Sequence, residues 1–147
     1  MLLRRDRAML AVSVMLDVAF HAGRAATVNA ADLSDRLGLA RRGMEPLLQA
    51  LSRAGLLESV RGPRGGYRLG RARRDISLAD IVAAAGEAEP NDGPKGPLQT
   101  EVVDPVWREM DAALSACLAA TTLEELLRRA ASAGLRRPMT EPISFAI

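Results

Sequence analysis

Cysteine, histidine, lysine and aromatic residues are nearly absent from this 147-residue chain, which has one Cys, one His, Lys95 alone among lysines, and the rings of Trp107, Tyr67, Phe20 and Phe145. Cys117 on its own cannot close an internal disulfide or build a cysteine-rich zinc site, which fits a reducing cytoplasm. One His and one Cys, at positions that read as structural, supply no nucleophile–base pair, so no enzymatic activity is expected. With so few rings, Leu, Val, Met and Ala must fill the core, and that favours packed helices over a β-sandwich. No run approaches the ~18 apolar residues of a membrane span, so no membrane partner is expected. The N-terminal "RRDR" before "AMLAVSVMLDVAF" has the outline of a secretion signal, and Arg4-Arg5 even suggests a twin-arginine one. Asp17 interrupts that apolar stretch, whose neighbours suit a packed amphipathic helix.

What the chain does have is arginine, and it is segregated. Residues 1–76 hold 14 Arg against 7 acids, a balance of +7, whereas residues 77–147 hold 5 Arg and Lys95 against 11 acids, a balance of −5. Asymmetry of this kind implies that the first half meets a polyanion and that the second does something else.

The spacing predicts a first helix from about Arg5 to His21, apolar on one broad side (Met9, Leu10, Val12, Val14, Met15, Val18, Ala19) and stopped at Gly23. Asn29 caps a short helix, "AADLSDRLG", with Asp32 in the capping-box position and Gly38 at its end. A second short helix, roughly 41–54, presents Met44, Leu47, Leu48 and Leu51 on one face. "LLESV" and "YRLG" are strand-length runs around a glycine turn. Two short helices joined through a glycine and followed by a hairpin make a winged helix-turn-helix. The hairpin "SVRGPRGGYRLG" (59–70) sets arginines before, inside and after its turn. Glycines let its tip approach another backbone closely, Pro63 stiffens it, and arginines there suit phosphates or a narrow minor groove.

Beyond the wing, "ISLADIVAAAGE" reads as a helix with Ser77 and Asp80 as a capping box, followed by the Gly/Pro-rich acidic stretch 86–100. Val103, Trp107, Met110, Leu114, Cys117 and Thr121 then recur at spacings of four and three, the seam of a helix that packs against a partner helix. Thr122 and Glu125 begin a last helix, which Gly134 ends. The expected fold is mainly α. A winged helix-turn-helix domain spans 1–84, an acidic loop 85–101, a long C-terminal dimerisation helix and terminal helix 102–135, and a tail 136–147.

On these motifs the chain resembles the Rrf2 family of bacterial winged-helix transcription regulators. The likeness runs from "AMLAVSVMLDVA" through "LSDRLGL", "GMEPLLQALSRAGLL" and "SVRGPRGGYRLGR" to "ISLADIV", and more weakly into "VWREMDAAL" and "TTLEELL". The resemblance implies a homodimer, paired through the long C-terminal helices, that binds a palindromic operator in double-stranded DNA. It implies that Arg61 reaches the minor groove and that Arg42 and Glu45 face major-groove base edges. Arg41, Arg64, Arg4, Arg5 and Arg7 would contact phosphates, with Gly65 and Tyr67 completing the wing, and Val103, Trp107, Met110, Leu114 and Cys117 forming the dimer seam. The alternative is a winged-helix protein-interaction module that does not read DNA specifically.

The chain departs from the family pattern in four respects. Ala40 caps the recognition helix poorly, Gly43 replaces a larger residue, and Pro46 requires that the regular helix begin near it or that its first turn be 3-10-like. Cluster-bearing members carry cysteines before the long helix. Aligned on Trp107, those positions fall at Glu89, Lys95 and Glu101, with the fourth-ligand position at Asp104. None is a thiolate, so no cofactor and no metal site is expected. An unidentified small hydrophobic effector remains open, as do a hard cation at Glu87, Glu89, Asp92, Glu101 and Asp104, redox change at Cys117 and pH sensing at His21.

Overall fold

Seventeen residues, Arg5–His21, form helix α1, over the span that the spacing predicts. Ala8, Ala11, Val14, Met15, Val18 and Ala19 are buried along it, and Leu10, Val12 and Leu16 pack against the same core from its flanks. This breadth of apolar surface exceeds the stripe of an ordinary surface helix. The computed structural model describes residues 5–22, 26–86 and 93–136; Gly23, expected to stop α1, lies outside them.

The helix-turn-helix follows as α2 (Ala30–Leu37) and α3 (Arg41–Arg53). The hairpin consists of β1 (Leu57–Val60) and β2 (Gly66–Leu69), antiparallel, with Leu57 opposite Leu69 and Ser59 opposite Tyr67. Leu57, Tyr67 and Leu69 pack against the core, while Glu58 and Arg68 face outward, as the two-residue period of a strand requires. Val28 adds a single-residue third rung: its N–H donates to the Tyr67 carbonyl (2.9 Å) and its carbonyl accepts from the Tyr67 N–H (2.8 Å).

Helix α4 (Leu78–Ala85) opens on the expected capping box: Asp80 N–H donates to Ser77 Oγ (3.1 Å) and Ser77 N–H to Asp80 Oδ2 (3.0 Å). Its far end is held by Arg7, whose Nε donates to the Ala85 carbonyl at 2.5 Å. A cation at a helix C-terminus also suits the helix dipole. A π-helical turn (Gln99–Val103) leads into α5 (Asp104–Ala120), and α6 (Leu123–Ser132) follows, capped by Thr122. The chain doubles back here. Ser77 and Thr122 form an antiparallel bridge in which Leu78 N–H donates to Thr121 O (2.8 Å) and Leu123 N–H to Ile76 O (2.9 Å). That clamp sets Leu123 into the same core as α1, with Leu126 and Leu127 beside it. Helix α5 is left outside that core, resting on α4 without one buried residue.

Gly66 is the tight point of this architecture. A Cβ there would stand 2.5 Å from the Val28 carbonyl oxygen. Gly66→Ala should therefore destabilise the fold by about 1–3 kcal/mol through overpacking. Gly43, inside α3, is the contrast, because a Cβ at that position would have nothing within 4 Å. Gly43→Ala should stabilise by about 0.5–1 kcal/mol, as for Gly→Ala in any open helix interior. Urea denaturation of the two variants beside the parent checks both signs.

Candidate nucleic-acid interface

The helix-turn-helix is built by local hydrogen bonds that the sequence encodes directly. Asn29 Oδ1 accepts from Asp32 N–H (2.8 Å) and its amide donates to Asp32 Oδ2 (3.0 Å), fixing the start of α2. Gly38 ends α2 in the left-handed conformation, and Ser34 Oγ donates to the Leu39 carbonyl across the turn. Ala40 gives α3 no side-chain cap, as expected. Gly43 N–H bonds back only three residues, to Ala40 O (3.1 Å), while the helix runs on through Pro46. The first turn is thus tightened rather than deleted, and Pro46, which cannot donate to the Arg42 carbonyl, removes one later rung.

Met44, Leu47, Leu48 and Leu51 anchor α3 in the core, leaving Arg41, Arg42, Glu45 and Gln49 exposed. Arg42, Glu45 and Gln49 stand three and four residues apart, so they share one outward face. Gln49 belongs to that face by the same periodicity that places Glu45, although the family likeness does not single it out.

The wing tip is a turn in which Gly65 N–H donates to Gly62 O (2.8 Å), with Pro63 and Arg64 between. Gly62 takes φ +118°, and a Cβ at Gly65 would meet Val60 O at 2.6 Å, so both glycines are demanded by the turn itself. Thr27 Oγ1 donates to the Arg64 carbonyl (2.7 Å), tying the tip to the segment before α2. Nothing local in the sequence marks Thr27, since its partner lies 37 residues away.

The arginines divide by partner. Arg36, Arg68, Arg73 and Arg74 are ion-paired to Asp17, Glu58, Glu124 and Asp75. Among the described residues Arg41, Arg42, Arg61 and Arg64 are exposed and have no carboxylate partner. Arg7 is committed to α4 and Tyr67 is half-buried on the core side of the wing, so both serve the fold. Arg4 and the Arg5 side chain lie outside the described residues, as do Glu87, Glu89, Asp92 and the tail from 137.

The expected seam divides too. Leu114 turns toward α4 with Asp111, Ser115 and Leu118, across from Ala79, Val82 and Ala83. Val103, Trp107, Met110 and Cys117 are exposed, and Leu98, Val102 and Val106 extend the apolar surface with them. Trp107 and Met110 are 47% and 49% exposed.

The iron–sulfur positions offer the wrong donors. Lys95 and Glu101 are exposed, Asp104 accepts from Gln99 Nε2 (2.8 Å), and Cys117 lies further along α5. No group of three or more His, Cys, Asp or Glu able to hold a metal occurs among the described residues. One thiol per chain and hard oxygens do not fit a cluster, which takes thiolate or imidazole.

Asp17, the charge that interrupts the first apolar stretch, joins α1 to α2. Arg36 grips it in a fork, Nε to Oδ2 at 2.9 Å and Nη2 to Oδ1 at 2.7 Å. His21 Nε2 lies 3.8 Å from Asp17 Oδ2, its ring edge-on to Phe20. Burial, and then the Arg36 charge, hold the His21 imidazole below its ordinary pKa, outweighing Asp17.

These elements define a winged helix-turn-helix regulator with an apolar C-terminal helix, and no described helix is long and apolar enough to cross a membrane. The Rrf2 family model, described as an iron-dependent transcriptional regulator, matches residues 5–129. The HTH-type transcriptional regulator IscR of Vibrio atlanticus is 37% identical over 123 residues, covering 80% of this chain and 70% of that one. Among solved structures, T. potens IscR superposes with a TM-score of 0.73 at 30% identity, covering 90% of each chain. CymR, the global cysteine regulator of B. subtilis, gives 0.69 at 25% identity, over 88% of this chain and 98% of that one. The chain belongs to the Rrf2 family of transcriptional regulators.

The depressed His21 value has a testable sign. The unfolded chain binds the proton more readily than the folded one, so stability falls as pH drops through and below the ordinary 6.5. In His21→Gln that part of the acid sensitivity should disappear. Melting temperatures measured across this range should then run flatter for the variant than for the parent, above the range where carboxylates titrate.

Proposed function

We propose that the chain is a dimeric, sequence-specific DNA-binding regulator, a repressor that occupies a two-fold-symmetric operator and works without an iron–sulfur cluster. The observation that carries this reading is the set of unpaired guanidiniums, Arg41 and Arg42 on α3 and Arg61 and Arg64 on the wing turn, joined through one hydrogen-bonded frame. Arg42 and Glu45 face base edges in the major groove, where Glu accepts from cytosine amino groups. Arg41 and Arg64 neutralise phosphates, and Arg61 enters the minor groove. Gly65 lets the tip turn, and Tyr67 holds the wing from its inner side. Two copies pair through Val103, Trp107, Met110 and Cys117, whose exposure on α5 and the turn before it supports a covering partner. Leu114 supports that helix from its α4 side.

The first test is selection from fragments of the source genome on the purified protein, followed by sequencing of what is retained. A shared two-fold-symmetric site is expected; uniform, salt-sensitive retention with no common site would overturn specific reading in favour of a protein-interaction module. On the selected site, Arg61→Ala should cost about 1–3 kcal/mol of affinity and reduce the salt slope by about one. That loss should vary with the A/T content of the step beneath the wing, and an unchanged affinity across sequences would remove Arg61 from the interface.

Met110→Glu should split the dimer, because pairing would bury like charges against an apolar surface. Light scattering should return the mass of one chain for the variant and of two for the parent. An unaltered mass would place the interface elsewhere.

A further inference from the structure

We propose that the cleft between the C-terminal ends of α1, α2 and α6 is a binding site for a small amphipathic anion, an apolar body carrying one carboxylate. The cleft encloses about 490 Å³, within the ~300–1,000 Å³ of small-molecule sites. Leu16, Phe20, Leu37, Ala130 and Leu135 line it together with polar and charged side chains. Leu135 is 61% exposed, and Leu16, Phe20 and Leu37 are only half-buried, so apolar surface is left open beside charge. Such a division matches a ligand with a hydrocarbon part and one charged end.

The sign of that end follows from the charges present. Asp17, Arg36 and Arg136 line the cleft, two cations against one carboxylate. Asp17 is already engaged by Nε and Nη2 of Arg36. The third guanidinium nitrogen of Arg36, Nη1, makes no hydrogen bond among the described residues, and Arg136 has no partner among them. Among the charged side chains described in the cleft, unengaged donors therefore outnumber unengaged acceptors. A carboxylate accepting from these guanidiniums gains charge-assisted hydrogen bonds, whereas the carboxylate that a cation would seek among the described lining residues, Asp17, is already held by Arg36. Ser13 and the His21 imidazole add hydrogen-bonding capacity at the same wall.

Occupancy has a mechanical consequence. Arg36 stands in the last turn of α2, and its fork onto Asp17 fastens α2 to α1. A ligand carboxylate competes with Asp17 for Arg36, and so bears on the placement of the helix that supports α3. This coupling rests on the proposed DNA reading; the binding itself does not.

The experiment is calorimetric titration of the full-length protein, free of DNA, with decanoate, and with decylamine as the cation of equal chain length. Saturable binding of decanoate at one site per chain is expected, tighter than decylamine by about tenfold or more, as charge-assisted hydrogen bonds imply. Ala130→Trp, which fills the cleft, should abolish it. Arg136→Ala, on the rim, should weaken it several-fold while leaving the melting temperature unchanged. Lys95→Gln, in the exposed segment before α5, should leave it intact. Absence of binding, equal binding of the amine, or binding that survives Ala130→Trp overturns the site. With the selected operator present, decanoate should shift DNA affinity. Unchanged affinity with decanoate bound overturns the coupling alone, whereas failure to bind any operator in either condition counts against the DNA reading.

Discussion

Helix α1 touches α2, α4, α6 and β2 at once, and its buried side mixes small residues with larger ones. Ala8, Ala11 and Ala19 let neighbouring backbones approach, while Val14, Met15 and Val18 fill the spaces between them. The same helix carries one charge at its edge, Asp17, whose side chain is only 10% exposed. A carboxylate so placed costs free energy unless it is paired, and the Arg36 fork supplies the pair. Loss of the fork would leave a nearly buried charge at the joint between α1 and α2.

The second joint is made of backbone. Val28 precedes α2 and pairs with Tyr67 of β2, and Thr27 holds the Arg64 carbonyl at the wing turn. Helix α3 and the wing are thereby parts of one frame, with α2 between them. A frame that is rigid before it meets its partner has less conformational entropy to lose on binding. Gly66 is part of this economy of space: with no side chain, it lets β2 lie against Val28 at hydrogen-bonding distance. For the proposed reader of DNA, the relative positions of Arg42 and Arg61 are then set by the fold rather than by the nucleic acid.

Much of this is legible in the sequence because it is local. The caps at Asn29, Ser77 and Thr122 bond three residues ahead, and such bonds follow from residue type and spacing alone. The hairpin is legible from glycine, proline and two short β-prone runs. Pro46 announces a disturbed first turn, which the Gly43–Ala40 bond realises. What stays hidden is long-range. Thr27 meets Arg64 across 37 residues, and Arg7 meets Ala85 across 78. Arg7 sorts with the phosphate contacts until the fold is known, because an arginine's charge is visible in a sequence and its carbonyl partner is not. The apolar spacing along α5 divides between two surfaces, one lying on α4 and one exposed. Leu114 goes to one and Trp107 and Met110 to the other. Periodicity identifies an apolar face without saying which neighbour covers it.

The segregation of charge joins these observations. In the second half, Glu124 pairs with Arg73 and Arg128, and Glu125 with Arg128 and Arg129, so much of the acidity around α6 is neutralised at short range. In the first half the arginines without a carboxylate partner include those on α3 and the wing turn. The balance of +7 over residues 1–76 is therefore more than a diffuse surface charge, because an uncompensated part of it is presented on two linked elements. At low salt such a field acts over about 10 Å or more and orients a polyanion before contact. On the proposed function, the same asymmetry keeps the apolar face of α5 available to a second copy: the region around it, net negative, repels the nucleic acid that the other half attracts.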